Sequence, residues 1–523
     1  MTSMRKVLFV AVLAASCSGG STSVAPIPAP TTTAATAAAP VDAEGATASP
    51  LPAPPSTATT SSSTAVPPTT LAPEPPPARF ADARDVGVPR AGVDGITMFR
   101  GNLTRSWYGT GPVPSEPERL WRYPDSAMCG LSTHNGAPKT WCGTGWTGQP
   151  VIWERPDGVT ELIFGSYDKA VHFVDADTGE ATRPPFRTGD IVKGSVALDP
   201  DGFPLLYFGS RDNQYRILAL DRDEPTELWR RNAYDNRVVW NDDWDGNPAI
   251  ADDLLFLPAE TGWFLTFRLH RGFDEDGFVT VEPETLLEFP VFTDELMASI
   301  GREQSVENSP AVFGDRVYFA NSAGRIVGLD IPAIEAGTDP LVFDHWVGED
   351  VDASIVIDGD GMLYVAAEQE RFNERGIESG QIIKFDPHNT DDPVVWSVDV
   401  PPRAGGDGGI WATPALANGV LYVATHPGEL LAVDTDTGEV VWRDEIGWHA
   451  WSSPIVVDNT LVVAVDCSSG GGMRAYNVAD PRAPVNVWDL PIGTGCIESS
   501  PIMWDGSIYV GSRDGYFYAF GDS

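Results

Sequence analysis

One short run recurs along this chain and constrains its fold more than any other feature: two mostly small residues, a proline, then apolar residues. It reads Gly148-Gln149-Pro150-Val151-Ile152, Gly246-Asn247-Pro248-Ala249-Ile250 and Asn308-Ser309-Pro310-Ala311-Val312. It returns as Ala412-Thr413-Pro414-Ala415-Leu416, Ser452-Ser453-Pro454-Ile455-Val456 and Ser499-Ser500-Pro501-Ile502-Met503. Two copies, 194–198 (GSVAL) and 353–357 (ASIVI), lack the proline. Spacings of roughly 40 to 60 residues match units that cannot bury an apolar face alone and must stack on their neighbours.

The same pattern follows each copy. In the sixth unit an alternating strand at 420–425 leads through a Gly-containing turn to a second at 429–434. The turn Asp436-Thr437-Gly438 then leads to a third at 439–442. With the proline segment this makes four short strands of period two per unit. A Trp closes most units (Trp229, Trp346, Trp396, Trp442, Trp488), with Phe186 and Phe289 taking its place in the first and third. The last unit stops one strand short, after 516–520. Arg119-Leu120-Trp121-Arg122-Tyr123 lies upstream with no unit of its own. Pairing the two ends closes a ring and removes the open edge between the termini. The expected fold is all-β: an eight-bladed β-propeller over 79–523, of four-stranded antiparallel blades, its last blade closed by an N-terminal strand.

Ahead of the ring, Arg5 and Lys6 precede an apolar run at 7–15, too short to span a bilayer. Leu13-Ala14-Ala15-Ser16-Cys17 resembles a bacterial lipobox, so 1–17 reads as a lipoprotein-type signal peptide ending at a lipidated Cys17, with ordinary secretion as the alternative. Segment 18–78 is Ala, Pro, Thr and Ser with very few charges. Such a composition cannot bury enough apolar surface to order itself, and it reads as a disordered tether. The expected location is extracytoplasmic, with the membrane met only through the lipid. A net charge of -40 argues against nucleic acid. A monomer is expected.

The units 206–220 (LYFGSRDNQYRILAL), 420–442 and 508–520 (IYVGSRDGYFYAF) resemble the repeat of pyrroloquinoline-quinone-like (PQQ-like) propellers: apolar-Tyr-Val-Gly-Ser-x-Asp-Gly, then Ala-apolar-Asp, Thr-Gly and Trp. The resemblance covers about 99–521. It implies the propeller fold and two classes of function. One is a non-catalytic scaffold of the cell envelope. The other is a PQQ- and Ca2+-dependent quinoprotein oxidoreductase acting on alcohols or sugars. Alcohol-oxidising members carry adjacent cysteines over the quinone, a Trp beneath it, and Glu, Asn and Asp around Ca2+. No two cysteines are adjacent here. Trp411 or Trp451 could supply a platform, and Glu307, Asn308 or Asp352 could supply ligands. The preferred reading is a binding or scaffold module for a protein, glycan or small molecule. PQQ is the less favoured cofactor, and Ca2+ the cation its oxygen donors would suit.

Strand direction puts the loops between strands two and three, and those between blades, on one upper face. The residue three before each motif proline, or its equivalent, then rings the axis: Thr147, Lys193, Asp245, Glu307, Asp352, Trp411, Trp451 and Glu498. The acids Asp245, Glu307, Asp352 and Glu498 form a candidate Ca2+ set. Lys193, Trp411 and Trp451 are candidate ligand contacts, together with Trp240, Asn241, Asp242, Asp243 and Trp244 of one acid- and aromatic-rich loop. Opposing these readings, the same residues could simply cap inner strands and pair with nearby cations. Cys129 with Cys142, and Cys467 with Cys496, are the favoured disulfides on the same rim, with crossed pairings left open.

Overall fold

A computed structural model describes residues 79–523, except 91, 135, 146–147, 404–405, 449, 466–470 and 493–494. Cys17, the signal segment and the tether therefore lie outside the described residues, as do Thr147 and Cys467. Eight four-stranded antiparallel blades form the propeller. Their innermost strands are Val151–Glu154, Ala197–Leu198, Ala249–Ala251, Ala311–Phe313, Val356–Ile357, Ala415–Ala417, Ile455–Val457 and Ile502–Trp504. Each opens a blade at a copy of the repeated run, because proline cannot donate a ladder hydrogen bond and is tolerated where a strand begins.

The eighth blade is completed from the other end of the chain. Glu118–Tyr123 pairs antiparallel with Phe517–Gly521, Tyr123 opposite Phe517 and Trp121 opposite Ala519. Faces between blades are packed with aromatic and aliphatic residues. Phe264 and Phe319 stack with centroids 3.8 Å apart between blades 3 and 4. Phe164 and Phe517 stack at 4.1 Å across the closure between blades 1 and 8.

The recurrent Thr-Gly and closing Trp meet at these seams. Trp121 donates its indole N–H to the Ala176 carbonyl at 2.8 Å, and Trp396 donates to Thr435 at 3.0 Å. Beneath each ring lies the turn glycine of the next blade, Gly179 (φ +73°) or Gly438 (φ +74°). A Cβ there would come within 2.7 to 2.8 Å of the indole. Both the left-handed conformation and the close approach demand glycine.

Segment 95–110, which carries none of the repeat pattern, crosses the inner ends of the blades. Gly95–Ile96 adds a fifth strand to blade 1. Thr97, Leu103 and Thr104 accept backbone hydrogen bonds from Leu198, Val312 and Ile357 of blades 2, 4 and 5. Arg100 and Arg105 are fully buried. Arg100 donates to the carbonyls of Pro454 and Pro414 at 2.6 and 2.7 Å, and Arg105 donates to those of Pro310 and Pro248. The motif prolines thus present their carbonyls to an N-terminal plug that fills the axis. Other additions to the ring are a ribbon of Cys129–His134 with Ala137–Cys142 and three six-residue helices. Among the described residues no helix is long and apolar enough to cross a membrane.

Candidate functional site

Two residues per blade build the upper mouth. One is the residue three before the motif proline. The other is the residue one past the Gly-Ser position that ends the second strand: Tyr167, Arg211, Glu260, Ser322, Glu368, His426 and Arg513 in blades 1 to 6 and 8. Strand register places these seven at equivalent points, since each opens the hairpin to the third strand. In blade 8 the two positions join as Glu498 and Arg513, 2.7 Å apart. In blade 6 they join as Trp411 and His426, with ring centroids 3.8 Å apart.

Blade 3 is acidic at both positions. Asp245 and Glu260, with Asp243 from the preceding loop, bring carboxylate oxygens within 4.8 Å of one another, and all three side chains are buried. Lys193 pairs with Asp245, and with Asp243 at 3.4 Å, while Arg211 reaches Asp243 at 2.8 Å. Burial and the neighbouring Asp245 push the Asp243 carboxyl up to about 7. Burial opposes the charge of Lys193, yet Asp245 and Asp243 hold its pKa well above the usual lysine value.

Blade 5 repeats the arrangement with fewer cations. Asp352 and Glu368 meet Asp350, again with oxygens within 4.8 Å of one another. Arg371 stands 3.4 Å from Asp350 and 3.1 Å from Glu303. Among the described residues no Lys, Arg or His pairs with Asp352 or Glu368. Burial lifts both carboxyls well above the carboxylate range, and Glu307 and Asp352 respectively add to the effect. Glu307 links the two groups: it accepts from Ser305 at 2.8 Å, and burial raises its pKa too.

Beside this acidic arc stand blades 6 and 7. Trp451 donates its indole N–H to His426 Nδ1 at 3.1 Å, and Trp448 is more than a third exposed next to them. The mouth therefore carries an acidic wall on blades 3 to 5 and an aromatic wall on blades 6 and 7.

The residues expected from sequence divide accordingly. Asp245 is engaged by Lys193 and Glu498 by Arg513, whereas Asp352 joins an acidic group. In the 240–245 loop, Trp240 is exposed, and Asp242 accepts from Tyr234 at 2.6 Å. Asn241 donates to Glu260 at 2.6 Å. Trp244 turns into the core against Tyr215 and is buried there. Trp411 is buried with the His426 ring against it, so as placed it does not fit a quinone platform. Cys129 and Cys142 are bonded directly across the rim ribbon; Cys496 is disulfide-bonded as well, and Cys467 lies outside the described residues. Glu260, Asp350 and Glu368 escape sequence reasoning. The signal for two of them is the variable x of the Gly-Ser-x-Asp-Gly pattern, which is Glu in blades 3 and 5.

Eight quasi-equivalent blades, a ring closed by an N-terminal strand and the Thr-Gly/Trp seam define an eight-bladed β-propeller whose repeat is similar to that of the PQQ-like class. A family model described as outer membrane protein assembly factor BamB matches residues 378–520. BamB of Escherichia coli K12 is 29% identical over 106 residues, 20% of this chain and 25% of that protein. BamB of Burkholderia pseudomallei is 28% identical over 200 residues, 37% of this chain and 45% of that one. The matched stretch thus spans from a quarter to under half the length of these curated relatives. The crystal structure of quinohemoprotein alcohol dehydrogenase from Comamonas testosteroni shares the fold, with a TM-score of 0.53 and 14% identity over 85% of this chain and 83% of that one.

Proposed function

We propose that this protein is a lipid-anchored, extracytoplasmic binding module that receives a basic segment of a partner protein in its upper mouth. The observation that carries the reading is the pairing of a largely buried acidic arc, Asp245 to Glu368, with the aromatic wall of Trp448 and Trp451 beside His426. Carboxylates held out of water attract a cation strongly, and indole faces accept the aliphatic stem and charge of Lys or Arg. The plug at Arg100 and Arg105 leaves the upper face as the route to the axis. Likeness to BamB, an assembly factor by name, supports a scaffold role, and a lipidated Cys17 followed by a long tether would let the propeller reach partners near the membrane.

The test is binding of a Lys/Arg-rich peptide and of a Glu-rich peptide of equal length to the full chain, read by tryptophan fluorescence and calorimetry. The basic peptide is expected to bind, more weakly as salt rises, and to lose affinity in Trp451→Ala and Glu307→Gln. Equal binding of both peptides, or no effect of either substitution, would overturn the proposal.

A further inference from the structure

We propose that Asp350, Asp352 and Glu368 form a divalent-cation site, suited to Ca2+, at the junction of blades 4 and 5; it deepens the upper-face binding reading and shares its location. The two acidic groups of the mouth differ in how their charge is met. Around Asp243, Asp245 and Glu260, Lys193 and Arg211 supply two positive charges at ion-pair distance. Around Asp350, Asp352 and Glu368 Arg371 alone approaches among the described residues, and it reaches Asp350 while also serving Glu303.

Among the described residues both groups hold carboxylate oxygens without a hydrogen-bond partner, but in the second no lysine stands beside them. Asp350 Oδ1, Asp352 Oδ1 and Glu368 Oε1 are buried and lack a hydrogen-bond partner. Glu368 is only 2% exposed, and the ligand atoms of the three lie within 4.8 Å of one another. A buried carboxylate without a partner is costly, and three converging are costlier still, unless protons or a cation join them. Backbone hydrogen bonds fix the group: Glu368 N–H donates to the Asp350 carbonyl at 2.8 Å. Glu349 accepts from the N–H groups of Glu370 and Arg371 at 3.2 and 2.9 Å, holding the turn that follows.

All donors are carboxylate oxygens, the hard ligands that Ca2+ prefers, and among the described residues no His or Cys joins the group to favour zinc. Asp350 and Asp352 are half-buried, so the group opens to the mouth and a hydrated ion can enter with water completing its shell. Three carboxylates from one blade junction also differ from the Glu, Asn and Asp set that the quinoprotein resemblance implies.

The experiment is calorimetric titration of the chelator-treated full chain with CaCl2, MgCl2 as comparison, alongside thermal unfolding. Wild type is expected to take up one Ca2+ and to melt about 5 °C higher in excess Ca2+. Asp352→Asn and Glu368→Gln are near-isosteric and remove charge from a crowded site, so both should fold, as far-UV circular dichroism checks. Each should weaken Ca2+ binding roughly ten-fold or more, while Glu439→Gln, in an exposed pair with Arg482, leaves it unchanged. No heat from Ca2+ in wild type, or wild-type binding retained in the Asp352→Asn/Glu368→Gln double variant, would overturn the site. The peptide test reads separately: failed peptide binding with intact Ca2+ binding sinks the partner reading and leaves this one standing.

Discussion

Arg105 grips the carbonyl oxygen of Pro310 with two guanidinium nitrogens, at 2.9 and 2.5 Å, in the fully buried centre of the wheel. No carboxylate pairs with it among the described residues, so the charge is met by backbone dipoles and burial lowers its pKa to about 9. Removing the side chain leaves the carbonyls of Pro310 and Phe99 unsatisfied. Arg105→Met is therefore expected to cost about 3 to 5 kcal/mol in urea denaturation. Arg105→Lys should recover less than half of that, because an ammonium cannot reproduce the fork.

Ring closure depends on Trp121 in a comparable way. Its ring lies 6.4 Å from Phe517 and 6.0 Å from Tyr509, and its N–H reaches Ala176 in blade 1. Trp121→Ala should destabilise by about 3 to 5 kcal/mol. Trp121→Phe, which loses only the hydrogen bond and some area, should cost about 1 to 2 kcal/mol. Gly179→Ala acts on the same seam from the other side, through its positive φ and the indole above it. Thermal unfolding of the three variants should rank Trp121→Phe as the mildest.

The wheel is legible in the sequence because each blade repeats one local pattern, and because the strand missing after Phe520 is present around Trp121. Much of the mouth is legible too, since the position three before the motif proline recurs. What escapes is carried by residues that the repeat treats as free. Glu260 and Glu368 occupy the variable position after Gly-Ser, and only register shows that the position faces its partner on the inner strand. Asp350 lies two residues before the repeated position, which Asp352 occupies, and becomes visible only when the inter-blade loop folds. The plug is hidden for a different reason: 95–110 alternates with neither period, and its arginines bond backbone carbonyls, which no side-chain motif encodes.

Acid-base behaviour should set this protein apart from one stabilised by paired surface carboxylates. Unfolded Asp and Glu ionise near 4, whereas folding lifts Asp243 to about 7 and Asp350 to about 6, chiefly by burial. The folded chain thus holds protons that the unfolded chain has lost. Stability from these groups is complete below about pH 4 and is lost as pH rises toward 7. Asp168, which His172 holds near 2 against burial, and Glu335, held near 2 by Arg79, lose their contributions only as pH falls below about 4. Melting temperature in chelator is therefore expected to peak near pH 4 to 5 and to fall between pH 5 and 8. A flat profile across that interval would contradict the raised carboxyls, and Asp243→Asn should reduce the slope.

Lys193 offers the sharpest separation between a charge that stabilises and one that merely compensates. Its ammonium is the nearest cation to Asp245 and shares Asp243 with Arg211. Taking it away leaves buried acids whose repulsion only protonation can relieve. Lys193→Met is expected to destabilise by about 3 to 5 kcal/mol near neutral pH, where Asp243 ionises, and by clearly less at pH 5, where Asp243 keeps its proton. Asp245→Asn in the same background should restore a large part of the loss. A double-mutant cycle between Lys193 and Asp243 is therefore expected to give a coupling energy above about 1 kcal/mol at pH 7.5 that shrinks at pH 5. A coupling that does not change with pH would mean that Lys193 acts through packing rather than charge.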